Sequence, residues 1–269
     1  MDLDQISRVG TTAAYGGGAV LKKYLGRLNN VRKKDTIDIV TEADIESEQI
    51  IIDSIRKVYP DHSILAEESG RLNEGKTYQW VIDPLDGTIN FAHGLPICAV
   101  SIAFVARNQV AVGIVLNPFS GEFFMAIKGR GARLNGRPIR VSNTDHMIDA
   151  LLATGFPCDR ERVLDDLLTQ FEAGLKSAQG IRRLGSAALD LCNIACGRFD
   201  GFWQQDLEPW DTAAGTLIVT EAGGTVTDDT GHSYHHHLKQ ILATNGRIHN
   251  DMLKMMSNRR TDESFHFSG

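Results

Sequence analysis

The stretch Trp80-Val81-Ile82-Asp83-Pro84-Leu85-Asp86-Gly87-Thr88-Ile89-Asn90-Phe91 constrains this chain more than any other. An apolar run of strand type ends in two aspartates three apart, with Pro84 between them and a Gly-Thr pair behind. Strands often hand functional groups to the loop at their carboxyl end. Carboxylates held on a turn suit a hard cation such as Mg2+, which takes oxygen ligands. The turn is therefore the expected floor of a metal-dependent phosphatase site, and the rest of the chain has to supply the missing ligands.

Composition narrows the classes. The chain has 269 residues, 42% hydrophobic and 23% charged, as expected of one large globular domain or two ordinary ones. A net charge of -6 and a pI near 5.8 argue against a nucleic-acid binder. They also leave phosphate to be held by bound cations rather than by bulk positive charge. No run of about 18 apolar residues exists, so no membrane span is expected. The N-terminus has no basic region leading into an apolar one, so secretion is not expected. Cys98, Cys158, Cys192 and Cys196 form no C-x-x-C, and buried thiols in a reducing, cytoplasmic compartment are the expectation.

Apolar spacing predicts a helix over residues 3–28, with Gly16-Gly17-Gly18 marking a close helix contact or a weak point. Asp38 and Asp44 flank a short extended piece. Thr41 followed by Asp44 resembles a capping box for a helix that should bury Ile45, Ile51, Ile52, Ile55 and Val58, and Tyr59-Pro60 ends it. Capping alone could explain Asp44. Residues 63–66 and 78–82 read as strands that bring Glu67 and Asp83 to one edge. Residues 97–106, 109–116 and 121–127 read as an antiparallel meander, turning at Arg107-Asn108 and again at Asn135-Gly136. A soft boundary near residue 143 divides an N-terminal α+β part, residues 1–143, from a C-terminal α/β part, residues 144–269.

The second part alternates: strand 150–154, helix 160–177, helix 185–195, strand 199–203, helix 210–222, strand 240–244, helix 248–256. Asp211 falls in the first turn of a helix, where it could serve only the helix dipole. His235-His236-His237 reads as an exposed loop, and His93 as structural. The tail from Arg259 is polar.

Four segments, in order, resemble the inositol monophosphatase family: Asp38-Ile39-Val40-Thr41-Glu42-Ala43-Asp44, Ala66-Glu67-Glu68-Ser69-Gly70, Asp83-Pro84-Leu85-Asp86-Gly87-Thr88, and Trp210-Asp211-Thr212-Ala213-Ala214-Gly215 with Glu221-Ala222-Gly223-Gly224. The resemblance runs from about Lys33 to the last helix and is nearest to bacterial members. It implies an α/β fold, a layered αβαβα sandwich of the inositol monophosphatase and fructose-1,6-bisphosphatase type, with Mg2+ at the junction of two subdomains. By motif, Glu67, Asp83 and the Leu85 carbonyl would hold one metal, and Asp83, Asp86 and Asp211 a second. A third ion could share Glu67. Glu67 and Thr88 would orient the attacking water, and Asp44 would fix the Thr88 hydroxyl. The amides of Gly87 and Thr88 would bind phosphate oxygens. Asp86, Asp211, Arg182, Gly185, Ser186 and Ala187 would border the substrate. Gln204 stands where inositol-active relatives usually carry Glu, which changes charge and donor pattern at a substrate contact.

The chemistry suits these residue types. Phosphate monoesters hydrolyse very slowly in water. Two cations about 4 Å apart can lower the pKa of water, neutralise the phosphate and stabilise the leaving oxygen. That calls for carboxylates from distant segments and no covalent nucleophile. The expected activity is a Mg2+-dependent phosphomonoesterase on a small polyol or sugar phosphate, with inositol 1-phosphate as lead substrate. Fructose 1,6-bisphosphate, 3'-phosphoadenosine 5'-phosphate and histidinol phosphate are the alternatives within the enzyme class. A regulatory binding module that keeps the fold is the alternative outside it. The resemblance further implies a homodimer and lithium sensitivity.

Overall fold

The computed structural model describes residues 1–27, 31–33, 39–157 and 163–257. Along the chain run α1 (Leu3–Tyr24), β1 (Val31–Lys33), β2 (Ile39–Thr41), α2 (Glu42–Arg56), β3 (Ser63–Ala66), β4 (Gly70–Leu72), β5 (Tyr78–Asp86), α3 (Thr88–Ala92), β6 (Ala99–Ala106), β7 (Gln109–Asn117), β8 (Glu122–Ile127), β9 (Ala132–Leu134) and β10 (Arg137–Pro138). After a short 3-10 turn follow β11 (Leu151–Thr154), α4 (Leu164–Ser177), β12 (Gly180–Arg182), α5 (Ala187–Ala195), β13 (Gly201–Gln204), α6 (Pro209–Glu221), β14 (Thr225–Thr227), β15 (Ile241–Thr244) and α7 (His249–Ser257).

Five layers result. Among the described residues one sheet has eight strands in the order β10-β9-β8-β7-β6-β5-β3-β4, and another has five in the order β12-β11-β13-β15-β14. α1 and α2 cover one face of the larger sheet, and α5 and α6 lie between the two sheets. α4 and α7 pair on the far face of the smaller one. Strand alternation builds two cores from one sheet. Ile64, Trp80, Ile82, Ile102, Phe104 and Ile114 face α1 and α2, while Leu65, Val81, Ala103, Val105 and Val115 face α5 and α6. Both faces are covered, which is why these strands read as continuous apolar runs.

The meander forms as expected, and Arg107 and Asn108 both take positive φ in the β6–β7 turn. The α2 stripe differs. Ile51, Ile52 and Ile55 are buried, each worth roughly 1.5–3 kcal/mol. Ile45 and Val58 are 52% and 42% exposed. Val58 lies past the end of the helix, and Ile45 is one step of about 100° off the buried face that Asp44 occupies. The Gly16–Gly18 run does not break α1, which is continuous from Leu3 to Tyr24. A Cβ on Gly17 would stand 2.7 Å from Ser47 Oγ and 2.8 Å from Ile51 Cδ1, so the glycines let α1 and α2 meet closely. The histidine triplet lies in a loop with His235 and His237 exposed, as predicted, while His236 turns inward and is 5% exposed. Cys98 and Cys192 are buried and Cys196 half-buried. Asp38, Cys158, the start of the helix predicted at 160 and the tail from Arg259 lie outside the described residues.

Candidate active site

Parallel pairing of β3 with β5 sets Ala66 beside Ile82, and the Glu67 N–H donates to the Ile82 carbonyl at 3.2 Å. Glu67 and Asp83 therefore leave neighbouring strands at the same level. The strand does not stop at Asp83, as the sequence suggests, but runs to Asp86 through an irregularity. Asp83 pairs with Ser101 and Asp86 with Ala99, so three steps on β5 span two on β6. One extra residue of this kind bends a strand and re-aims its side chains. Without it, residues three apart would point to opposite faces.

The segment is tied down at each position. The Leu85 N–H donates to Asp83 Oδ1 at 2.9 Å. Gly87 has φ of 93°, and a Cβ there would lie 2.9 Å from the Ile97 carbonyl oxygen, so only glycine fits. Thr88 Oγ lies 3.1 Å from the Leu85 carbonyl oxygen and 3.3 Å from Asp44 Oδ1, and its single proton serves one of them at a time. The other Asp44 oxygen accepts from the Thr41 N–H at 2.8 Å and the Thr41 hydroxyl at 2.5 Å. Capping and contact with Thr88 thus use different oxygens of one carboxylate.

Asp211 comes from the other half of the chain. It lies in the first turn of α6, and its Oδ2 accepts from the Glu208 N–H at 2.7 Å. α6 packs across β5, β6 and β7, which carries that first turn to the end of β5. Asp86 is held by the start of α5. Its Oδ2 accepts from the Ser186 hydroxyl at 2.5 Å and the Ala188 N–H at 2.8 Å.

Electrostatics record the convergence. Burial, then Glu67, Asp86 and Asp211, hold the Asp83 carboxyl well above the ordinary range. Burial, then Asp86 and Glu67, do the same for Asp211. Asp86 is raised by burial against the opposing bonds from Ser186 and Ala188. Asp44 is pushed up to about 6 by burial, against its Thr41 bonds. Among the described residues no Lys or Arg pairs with Asp83, Asp86 or Asp211. Nor do three acidic, His or Cys side chains there already close on a single ion position. Glu67 and Asp86 nevertheless raise both Asp83 and Asp211, and every donor in the set is an oxygen. A hard divalent cation fits that chemistry and would relieve the repulsion.

The remaining predicted contacts are less concentrated. Arg182 is exposed at the end of β12, with its guanidinium on the Ile181 carbonyl. Gly185 packs against Asn90, whose Nδ2 donates to the Leu184 carbonyl at 2.7 Å and the Ile97 carbonyl at 2.8 Å. Ala187 is buried at the head of α5. Gln204 ends β13, half-buried, and its side chain lies over Gly155, where a Cβ would come within 1.7 Å of Oε1. His93 is exposed. Sequence reasoning missed Ser47, Glu48, Asn90 and Gly155. For the first two a signal existed, because they follow Asp44 at i+3 and i+4 on the face that continues through Ile51 and Ile55.

Fold and site together define a layered α/β protein with a cluster of buried and half-buried carboxylates at the end of β5, beneath the first turn of α6. The family described as "Inositol monophosphatase family" matches residues 2–261. An inositol-1-monophosphatase of Synechocystis is 43% identical over 258 residues, covering 95% of this chain and 90% of its own. The Nus factor SuhB of Pseudomonas aeruginosa is 47% identical over 226 residues, covering 81% and 83%. Among solved structures, an extragenic suppressor protein suhB from Bartonella henselae superposes with a TM-score of 0.91 at 38% identity, over 94% of this chain and 99% of that one. An inositol monophosphatase from Anabaena gives 0.87 at 42%, over 95% and 96%. The chain belongs to the inositol monophosphatase family, a family of metal-dependent phosphatases.

Proposed function

We propose that this chain is a Mg2+-dependent phosphomonoesterase acting on a small polyol or sugar phosphate, with myo-inositol 1-phosphate as lead substrate. The observation that carries the reading is that Glu67, Asp86 and Asp211, from both halves of the chain, lie close enough to the buried Asp83 to raise its carboxyl, so that oxygen donors gather at the end of β5. Those four side chains and the Leu85 carbonyl are the residues that would hold the cation. When bound, Mg2+ supplies charge neutralisation of the phosphate, acidification of a water and stabilisation of the leaving oxygen.

The protein's own groups do the positioning. When the Thr88 hydroxyl donates its hydrogen bond to Asp44, its lone pairs turn outward, so that Thr88 and Glu67 orient the attacking water. The backbone amides of Gly87 and Thr88 bind phosphate oxygens. Asp86 is fixed through one oxygen by Ser186 and Ala188, leaving the other for the cluster. Gly185, Ser186, Ala187, Arg182 and Gln204 border the alcohol to be released. The site lies between subdomains 1–143 and 144–269. Homodimerisation, lithium inhibition and a cytoplasmic location complete the reading, and among the described residues no helix is long and apolar enough to cross a membrane.

A phosphate-release assay on inositol 1-phosphate, fructose 1,6-bisphosphate, 3'-phosphoadenosine 5'-phosphate and histidinol phosphate tests the substrate. Inositol 1-phosphate should be turned over fastest, and the lead assignment falls if it is the poorest of the four. Relatives named Nus factor SuhB favour a second reading, a binding role in which turnover is dispensable. The complete carboxylate set argues for turnover. Asp83→Asn separates the two readings, because it should cost at least about a hundredfold in Mg2+-dependent hydrolysis and leave a pure binding role untouched.

A further inference from the structure

Three polar residues follow one another on the buried face of α2. Asp44, Ser47 and Glu48 stand at i, i+3 and i+4, with 0%, 0% and 2% exposure, and Ile51 and Ile55 continue the same face. Each meets a different piece of the acidic site. Asp44 faces Thr88, and the Ser47 hydroxyl donates to the Pro84 carbonyl at 3.1 Å. Glu48 takes the third piece. Its Oε2 accepts from the Glu68 N–H at 2.8 Å, and its Oε1 from the Ser69 N–H at 2.8 Å and from the Ser69 hydroxyl.

Burying a carboxylate is costly, and an apolar side chain would fill that space in the helix face more cheaply. What Glu48 obtains is two consecutive backbone amides and a hydroxyl, all in the turn that begins at Glu67. The Glu67 N–H is already held by the Ile82 carbonyl. The backbone is thus gripped at residue 67 from the sheet and at residues 68 and 69 from the helix. That fixes where the Glu67 carboxyl stands relative to Asp83 on the neighbouring strand.

We infer that Glu48 is a positioning residue for the cation site, holding Glu67 in place through the backbone of Glu68 and Ser69. This rests on the proposed reading of Glu67 as a cation ligand. Residues that orient metal ligands typically cost about 10–100-fold in affinity when changed. Glu48→Gln presents an amide N–H2 to donors and breaks the grip with almost no change in size. Glu46→Gln removes the same charge from the exposed side of the same helix and is the control.

The test is Mn2+ titration of chelator-stripped protein, followed by electron paramagnetic resonance without substrate, together with amide hydrogen exchange at Glu68 and Ser69. Glu48→Gln should weaken Mn2+ binding about tenfold or more and speed exchange at both amides, while Glu46→Gln matches the wild type. A Glu48 that only supports the fold would lower the melting midpoint and leave the Mn2+ affinity of the folded protein unchanged, which overturns the inference. If Glu48→Gln does not fold, Ser69→Ala carries the test. It removes one of the three bonds from the solvent side and should weaken Mn2+ binding about two- to threefold, and an unchanged affinity overturns the inference. If the wild type binds no Mn2+, the cation reading of the whole site falls and the inference falls with it. If the wild type binds and Glu48→Gln binds equally well, the inference alone falls.

Discussion

At the residue scale the proposed substrate preference turns on Gln204, at the end of β13. It offers an amide where the family resemblance implies a carboxylate for inositol-active members, and its side chain lies on Gly155, which has no side chain to displace it. A charged acceptor bonds a hydroxyl about twice as strongly as a neutral one. Gln204→Glu is therefore expected to raise kcat/KM for inositol 1-phosphate about tenfold relative to the other three phosphates, as read from the same release assay. Equal gains on all four would remove Gln204 from substrate selection. His236 makes a different residue-scale prediction. Burial and the neighbouring His237 and His235 push it down to about 4. A histidine depressed in the fold contributes stability that is complete above the unfolded value near 6.5 and is lost as pH falls toward 4. His236→Gln should accordingly flatten the loss of stability between pH 6.5 and 4, measured by urea midpoint at each pH. An unchanged slope would place the titration elsewhere.

At the scale of elements, the placement of the site depends on how closely helices approach. α1 meets α2 through Gly17, α2 presents Asp44, Ser47 and Glu48 to the site, and α6 lays Asp211 over β5. Gly17→Val would force the Ser47 and Ile51 side chains aside. Overpacking of this kind costs about 1–3 kcal/mol, which a urea denaturation midpoint would register. Activity should fall as well, since Ser47 holds the Pro84 carbonyl. Unchanged stability would mean the two helices can separate freely. Elements with long periodic patterns, such as α1, α2 and the β6–β7 hairpin, were legible in the sequence. The strands β4, β9, β10, β12 and β14 were not, because two or three residues carry no alternation and sheet neighbours alone define them. The bulge in β5 was hidden for a related reason. Pro84 and the paired aspartates mark a turn, but only the register against β6 shows that the strand resumes.

For the whole molecule, what the sequence could express was a set of acids in three separate segments. Glu67, Asp83, Asp86 and Asp211 stood out through motif order, and their meeting is a property of two sheets sharing one helical layer. The supporting bonds were harder to read, because they join distant positions or end on backbone groups. Ser186 binds Asp86 across about 100 positions, and Glu48 binds two backbone amides and the Ser69 hydroxyl. Such contacts leave no pattern in one sequence. In the proposed reading the gathering of these acids makes a cation-dependent phosphatase site. Mg2+ should then stabilise the folded chain, by about 2.7 kcal/mol at one hundred times its Kd, visible as a rise in Tm over the chelated protein. The most direct measurement is phosphate release from chelator-stripped protein as Mg2+ is added back, comparing wild type with Asp211→Asn. Release should be absent without Mg2+, return on titration in the wild type, and stay at least about a hundredfold lower in the variant. Hydrolysis that survives chelation, or an Asp211→Asn protein with the wild-type Mg2+ response, would contradict it.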